Sequence, residues 1–268
     1  MDFIDTYRDI KLSIGSICNK NISQLMKLKT ISTGSGGSNN IVFIGNKQYI
    51  IKLYPIFIYN VNKIEKDHFE IKFIKQYTKE FLLTNKTPHL IGFYKKISCP
   101  NIKKILPKKL NCPLTSTDIK KFIMKKIDNK QKKWCKQCIF SDMKLSKHVD
   151  IGIIEKCDFE LSNYLKTIYK KENLYDIIDR ILFQICFSLS IILIDHPKFR
   201  HGDLFVRNIL GFLYNNFSKN QYIEYHYKNN IYYLPANGFF VKINDFGLSS
   251  DEKKIRHIID ILRVISLI

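Results

Sequence analysis

The sequence lacks any uncharged apolar run long enough to cross a membrane, which takes roughly 18 residues. The closest stretch, residues 181–194, is shorter and contains Gln184 and two serines. The first residues show no basic segment followed by a long apolar run, so a secretory signal is not expected. We therefore expect a chain without a transmembrane segment.

The sequence also lacks the paired cysteines of a small secreted protein. Its seven cysteines are odd in number and scattered from Cys18 to Cys186, a pattern that favours a reducing compartment over a disulfide framework. We therefore expect a cytoplasmic protein. Cys135 and Cys138 have the spacing of a zinc-binding pair, but Cys99 and Cys112 are too far apart to form a second one. Zinc stays an open alternative that metal analysis of the purified protein would decide.

Acidic residues are few compared with basic ones. The chain has 24 aspartates and glutamates against 44 lysines and arginines, which gives a net charge of +20. This excess favours anionic partners such as nucleotides, nucleic acid or acidic proteins. Nucleic acid is the less favoured partner, because no nucleic-acid-binding motif accompanies the charge. Apolar residues make up 45% of the 268 residues, enough for the core of one large domain or of two lobes.

Patterns along the chain predict an N-terminal extension, residues 1–30, and one domain over 31–268. The domain begins with a glycine-rich hairpin, and apolar side chains at helical spacing then predict a helix over 64–83 that Pro88 stops. We interpret the lysine-rich segment 95–149 as an insertion. Further elements are predicted for the rest of the chain: a strand over 151–154 and helices over 161–168 and 176–194.

Two motifs late in the chain carry the strongest functional signal. Asp203 and Asn208 are separated by four residues, and a later strand leads into an Asp-Phe-Gly that begins at Asp245. This order and spacing are typical of protein kinases. Together with the glycine hairpin, Lys52 and Glu70, they make the sequence resemble the protein-kinase superfamily from residue 31 onward. The resemblance implies an α+β, bilobal kinase-like fold. Its N-lobe would have an antiparallel sheet plus a helix over about 31–154, and its C-lobe would be mostly helical and shortened over about 158–268.

The resemblance also implies a role for each motif residue. Transfer of a γ-phosphoryl group requires that the phosphates are held, that their charge is neutralised and that the acceptor hydroxyl is in line. Lys52 would contact the α- and β-phosphates of ATP, and Glu70 would hold Lys52 by an ion pair. Asp203 would orient the hydroxyl and accept its proton. Asn208 and Asp245 would supply oxygen ligands to Mg²⁺.

The nucleotide would be bound by the hairpin and by the segment that follows the predicted strand. Backbone groups of Glu155 and Cys157 would hydrogen-bond to the adenine, and Ile154 would limit access to the space behind it. Glycine amides can approach phosphates closely because no Cβ intervenes. The hairpin residues assigned to the nucleotide are Gly34, Gly36, Gly37 and Ile41.

A closer resemblance is to the atypical serine/threonine kinases of large nucleocytoplasmic DNA viruses, including poxvirus-like ones. The segments 87–90, 199–204 and 232–235 carry it, as does the long segment between the two motifs, residues 211–240. This resemblance implies ATP and Mg²⁺ as cofactors and a protein substrate of unknown identity. It also implies a location in the host cytoplasm or the virion.

Several positions depart from the kinase pattern. Asn39 occupies the place of the third glycine of the hairpin, and Gly202 replaces the arginine that pairs with a phosphorylated activation loop in many kinases. Phe205 stands where a lysine is usual, two residues after the catalytic aspartate. Arg207 would then be the catalytic cation beside the transferred phosphate.

The C-terminal part is short for a kinase. Residues 251–268 predict one amphipathic helix, in which Asp260 is a candidate for the buried aspartate that supports the catalytic loop. We expect His201 to be structural and to pack near Phe246. A short end indicates either a minimal C-lobe or a truncated copy.

Two alternative functions stay open. A pseudokinase or scaffold would keep the fold without the reaction, and Asn39 together with the short C-terminal part favours it. A small-molecule kinase of the aminoglycoside or choline type would also have His-Gly-Asp and a short segment after Asp-Phe-Gly. Comparison of metabolite and protein acceptors would separate the two.

Overall fold

A computed structural model of the chain describes residues 30–33, 41–44, 49–58, 69–99, 144–169, 174–214, 221–236 and 238–250. The described part is α+β, with antiparallel sheets and a few helices. The chain divides into two compact units. The first comprises Met1–Lys72 and Phe93–Lys156, and the second comprises Phe73–Gly92 and Cys157–Ile268.

The first unit contains a five-stranded antiparallel sheet. Its strands are β1 (Thr30–Thr33), β2 (Ile41–Ile44), β3 (Tyr49–Ile58), β4 (Phe93–Cys99) and β5 (Lys144–Glu155). They pair in the order β1-β2-β3-β5-β4. The central strands are rich in β-branched residues, and Ile51, Ile151 and Ile153 are buried in the core. Antiparallel pairing of β1 with β2 and of β2 with β3 confirms the predicted hairpin sheet.

The segment predicted as an insertion, residues 95–149, is strand at both ends. β4 continues to Cys99, and β5 begins at Lys144, well before the predicted 151–154. The lysines obscured this pattern because Lys95 and Lys96 lie on an outer strand of the sheet, where they stay partly exposed while Tyr94 and Cys99 are buried. Residues 100–143 lie outside the described part of the chain.

Helix α1 (Phe69–Tyr77) confirms the predicted helix, and it continues as a π-helical turn, Thr78–Leu82. The turn ends before Asn85, whose φ of 56° is left-handed and cannot continue a right-handed helix. The helix therefore stops ahead of Pro88, the residue expected to stop it. Residues 64–68 lie outside the described part.

Helices α2 (Leu161–Ile168) and α3 (Leu174–Asp195) match the predicted ones closely. By length and composition α3 could cross a membrane, contrary to the expectation from apolar run length. This is weak evidence, because the core helix of a soluble protein passes the same test and half of the apolar window is buried. Inside the second unit, the Gln184 side chain on α3 accepts a 2.8 Å hydrogen bond from the amide of Val241.

The second unit contains more strand than the expected, mostly helical lobe. Residues 209–243 hold two long antiparallel pairs, in which aromatic and β-branched residues are frequent. The strands are β6 (Phe159–Glu160), β7 (Ile209–Tyr214), β8 (Tyr222–Tyr227), β9 (Asn230–Pro235) and β10 (Gly238–Ile243). One three-stranded sheet has the order β10-β7-β6, and β8 and β9 form a separate hairpin.

Candidate active site

Lys52 on β3 and Glu70 on α1 form a buried ion pair. The Nζ atom of Lys52 lies 2.6 Å from Oε1 of Glu70, and their side chains are 12% and 0% exposed. The predicted ion pair is therefore confirmed. The alternative partner considered for this lysine, Glu65, lies outside the described residues.

A glycine on the neighbouring strand makes room beside this lysine. Gly152 pairs with Lys52 across β3 and β5, and a Cβ built on Gly152 would lie 2.9 Å from the ring of Tyr54. The missing side chain lets the Tyr54 ring lie 5.2 Å from the Lys52 ammonium, within the range of a cation–π contact. The sheet thus places the lysine between an aromatic ring and a carboxylate.

The loop after β-bridge residue Arg200 holds the predicted catalytic aspartate. The Nη2 atom of Arg207 donates to both carboxylate oxygens of Asp203, at 3.1 and 3.0 Å. The Nδ2 atom of Asn208 donates to the same carboxylate at 2.9 Å and to the Asp203 carbonyl at 2.6 Å. A single 3₁₀ turn, Val206–Asn208, brings both donors back onto Asp203. The carboxylate is therefore oriented by residues four and five positions later.

The two motifs are joined through their backbones. The carbonyl of Asn208 accepts a 2.9 Å hydrogen bond from the amide of Asn244, which precedes Asp245. The two Asp203 oxygens that face the Asn208 side chain can only accept hydrogen bonds, so Nδ2 of Asn208 points toward them. The Oδ1 atom of Asn208 is therefore left as a potential metal ligand. Both residues predicted to bind metal, Asn208 and Asp245, therefore have oxygen ligands to offer.

Asp245 has an uncommon backbone conformation. Its φ and ψ are 63° and 68°, in the left-handed region that aspartate tolerates better than most residues. A Cβ on Gly247 would come within 3.3 Å of its Oδ1 atom, so glycine at 247 leaves space for the carboxylate. Non-glycine residues in this conformation cluster at functional sites.

Phe246, the residue after Asp245, is buried against two rings of the second unit. Its ring centroid lies 5.6 Å from that of Tyr77 and 5.1 Å from that of His201. The Nε2–H of His201 donates to the Asn244 carbonyl at 3.0 Å, which leaves Nδ1 to accept a 3.4 Å hydrogen bond from the amide of Asp203. His201 packs near Phe246 as expected, and its two hydrogen bonds also bridge the two motifs.

Sequence reasoning missed a second buried histidine, His89. Its Nδ1 lies 2.8 Å from the Val241 carbonyl, and its Nε2 lies 2.9 Å from the hydroxyl of Tyr225. The pKa of His89 is lowered to about 3, chiefly by burial. The hydrogen bond to the Val241 carbonyl opposes this shift, and the charge of nearby Lys242 contributes to it. His89 was part of a segment that carried the viral resemblance, but its partners lie more than a hundred residues away in the sequence.

The two residues predicted to hydrogen-bond to the adenine, Glu155 and Cys157, lie at the end of β5 and just after it. Glu155 is buried at the end of β5, opposite Tyr49, and Cys157 is partly exposed. Ile154 is buried, and Ile41 begins β2 opposite Leu53. Gly34, Gly36 and Gly37 lie outside the described residues, as do Asn39 and Asp260.

The described residues form no zinc site. Cys135, Cys138 and Cys112 lie outside the described part of the chain, and Cys99 is disulfide-bonded. In the described ranges, no group of three or more histidine, cysteine, aspartate or glutamate side chains could hold a metal ion. A Mg²⁺ site needs fewer protein ligands, since this ion keeps several waters and is completed by substrate phosphates.

Comparison with known proteins identifies relatives. No protein-family model matches the chain. It is 39% identical over 254 residues to a protein of Acanthamoeba polyphaga mimivirus named "Putative serine/threonine-protein kinase", an alignment that covers 86% of this chain and 62% of the relative. A second mimivirus protein with the same kind of name is 25% identical over 187 residues, covering 69% of this chain and 37% of that protein. The chain thus spans less than two thirds of the length of either relative.

These relatives confirm the expected similarity to kinases of a large nucleocytoplasmic DNA virus. The chain is therefore similar in sequence to two viral proteins whose names describe kinases.

Proposed function

We propose that the chain catalyses ATP-dependent phosphoryl transfer to serine or threonine hydroxyls of a protein substrate. The observation that carries the proposal is the Asp203 carboxylate, which Arg207 and Asn208 hold in one orientation. The names of the mimivirus relatives support serine and threonine as acceptors. The activity is proposed for the host cytoplasm or the virion, because those relatives are viral.

The residues present fit Mg²⁺ and ATP. Asn208 offers its amide oxygen and Asp245 a carboxylate, ligands that suit a hard cation. The ammonium of Lys52, already held by Glu70, suits the α- and β-phosphates. When bound, Mg-ATP would supply the phosphoryl group and a cation that offsets its charge.

In the proposed mechanism, Asp203 accepts the proton of the acceptor hydroxyl. Its carboxylate is 22% exposed, so an acceptor can reach it. Arg207 would stabilise the negative charge of the phosphoryl group as it moves, and Asn208 keeps the carboxylate aimed while it does so. His201 keeps the Asp203 loop and the Asn244 carbonyl in register. Most of the catalytic effect would come from positioning and charge.

The test is phosphotransfer by the purified protein with Mg-ATP and labelled phosphate. Asp203→Asn keeps the shape of the side chain but removes the base, so we expect turnover to fall about 10²-fold or more with ATP affinity nearly unchanged. Arg207→Ala should likewise lower turnover more than affinity. Phosphoamino-acid analysis of the product identifies the acceptor hydroxyl.

Three results would contradict the proposal or its mechanism. Nucleotide binding of equal strength with and without Mg²⁺, together with no transfer, would favour a pseudokinase or scaffold. Transfer to metabolites such as aminoglycosides or choline, with none to proteins, would favour a small-molecule kinase. Equal transfer by the unmutated protein and by Asp203→Asn would show that Asp203 is not the base.

A further inference from the structure

The ring of Phe205 lies against Arg207, a contact that its place in the motif does not explain. Its ring centroid lies 4.3 Å from the guanidinium carbon of Arg207. The same guanidinium contacts both oxygens of Asp203 through Nη2 alone. We propose that Phe205 is a positioning residue that holds Arg207 on the catalytic Asp203. This inference rests on the proposed kinase function.

The ion pair between Arg207 and Asp203 is too exposed to fix the arginine side chain by itself. The Arg207 side chain is 48% exposed, and exposed ion pairs at this spacing contribute little because a long side chain loses rotamer freedom and water screens the charges. An aromatic ring against one face of the guanidinium adds a cation–π attraction and removes alternative rotamers. Phe205 thus makes one arrangement of Arg207 dominant.

The backbone fixes the ring in place. The amide of Phe205 donates to the carbonyl of Asp203 at 2.9 Å, and the carbonyl of Phe205 accepts from the amide of Asn208 at 2.8 Å. Phe205 therefore lies in the turn around Asp203, and two backbone hydrogen bonds hold its main chain in place. A ring attached at this position can restrict the rotamers of Arg207.

The guanidinium of Arg207 uses only one of its nitrogens to bind Asp203. One nitrogen, Nη2, is used for Asp203, while Nε and Nη1 of Arg207 make no hydrogen bond within the described ranges. Those donors are the ones left for a phosphoryl oxygen. In most kinases a lysine occupies position 205, and here a phenylalanine at the same position would act through the arginine instead.

The experiment measures kcat and KM for ATP in single and double variants of the whole chain. Phe205→Leu keeps an apolar side chain but removes the ring, and we expect kcat to fall about 5- to 10-fold with KM nearly unchanged, since rotamer freedom returns to Arg207. Phe205→Tyr keeps the ring and should restore most of kcat. Phe212→Leu, which removes from β7 a ring that lies 5.8 Å from the Lys242 ammonium, serves as the matched control.

The double variant separates a positioning role from a merely structural one. If Phe205 acts through Arg207, then Phe205→Leu should have no further effect on kcat once Arg207→Ala is present. Equal effects of Phe205→Leu in both backgrounds would overturn the proposal. A fall in kcat of the same size in Phe212→Leu would also overturn it.

A spectroscopic readout is independent of turnover. The Nε–H resonance of Arg207 should carry a ring-current shift that Phe205→Leu abolishes and Phe205→Tyr retains. An unchanged resonance in Phe205→Leu would overturn the positioning role. Absence of phosphotransfer by the unmutated protein, with the ring-current shift present, would instead overturn the proposed function.

Discussion

Acidification is expected to destabilise the second unit through His89. This side chain is fully buried, stacks on Phe240 at a centroid distance of 4.3 Å and has a polar partner at each ring nitrogen. Because the Val241 carbonyl can only accept, Nδ1 carries the proton and Nε2 accepts from the hydroxyl of Tyr225. The folded protein therefore holds a neutral imidazole.

The direction of the pH effect follows from the lowered pKa. With a pKa of about 3 in the folded state, His89 stays neutral where an unfolded histidine, with a pKa of about 6.5, takes up a proton. Between these values the unfolded chain binds more protons, so the free energy of unfolding rises with pH and becomes level above about pH 6.5. From pH 7.5 to pH 5 the loss is about 2 kcal/mol, since one pKa unit corresponds to about 1.4 kcal/mol.

Chemical denaturation at pH 5 and pH 7.5 measures this loss. His89→Gln removes the titrating group, so its free energy of unfolding should change with pH by about 2 kcal/mol less than that of the unmutated protein. Tyr225→Phe should cost about 1–3 kcal/mol at pH 7.5, because it leaves the buried Nε2 without its donor. If the unmutated protein and His89→Gln have the same pH dependence, the neutral buried histidine is refuted.

Three further perturbations test the site and its support. Lys52→Met should cost about 3–5 kcal/mol in unfolding experiments, because it removes the ammonium that pairs with the buried carboxylate of Glu70. Adding Glu70→Gln should recover part of that loss, and full additivity of the two changes would contradict the pairing. Gly211→Ala should lower the free energy of unfolding by about 1–3 kcal/mol, since its Cβ would lie 2.8 Å from the backbone oxygen of Phe240. An unchanged free energy of unfolding would show that β7 and β10 can move apart to admit the methyl group. Asp245→Asn should raise the Mg²⁺ concentration needed for phosphotransfer, because a neutral amide cannot offset the charge of the ion. Stability should stay the same, since asparagine also tolerates a left-handed backbone. An unchanged Mg²⁺ requirement would show that Asp245 is not a metal ligand.

Local pattern in the sequence determined much of the fold and selected the candidate site residues. The helices over 161–168 and 174–195 are where periodicity predicts them, because apolar spacing along one helix is a property of the local sequence. The spacing of Asp203, Asn208 and Asp245 likewise identified two loops as the candidate site. In the structure, a backbone hydrogen bond from Asn244 to Asn208 connects these two loops. The ion pair between Lys52 and Glu70 followed from the order of strand and helix.

Tertiary structure decided what depends on partners distant in the chain. His89 reads as an ordinary histidine until packing brings Val241 and Tyr225 to its ring, and no local period encodes contacts across 152 and 136 residues. Strand formation in the lysine-rich flanks of residues 100–143 depends on pairing with neighbouring strands, so composition alone concealed it. The contact between the Phe205 ring and Arg207 could not be predicted from the sequence either. Motif spacing shows which residues share a loop, but the path of the backbone decides which side chains come into contact.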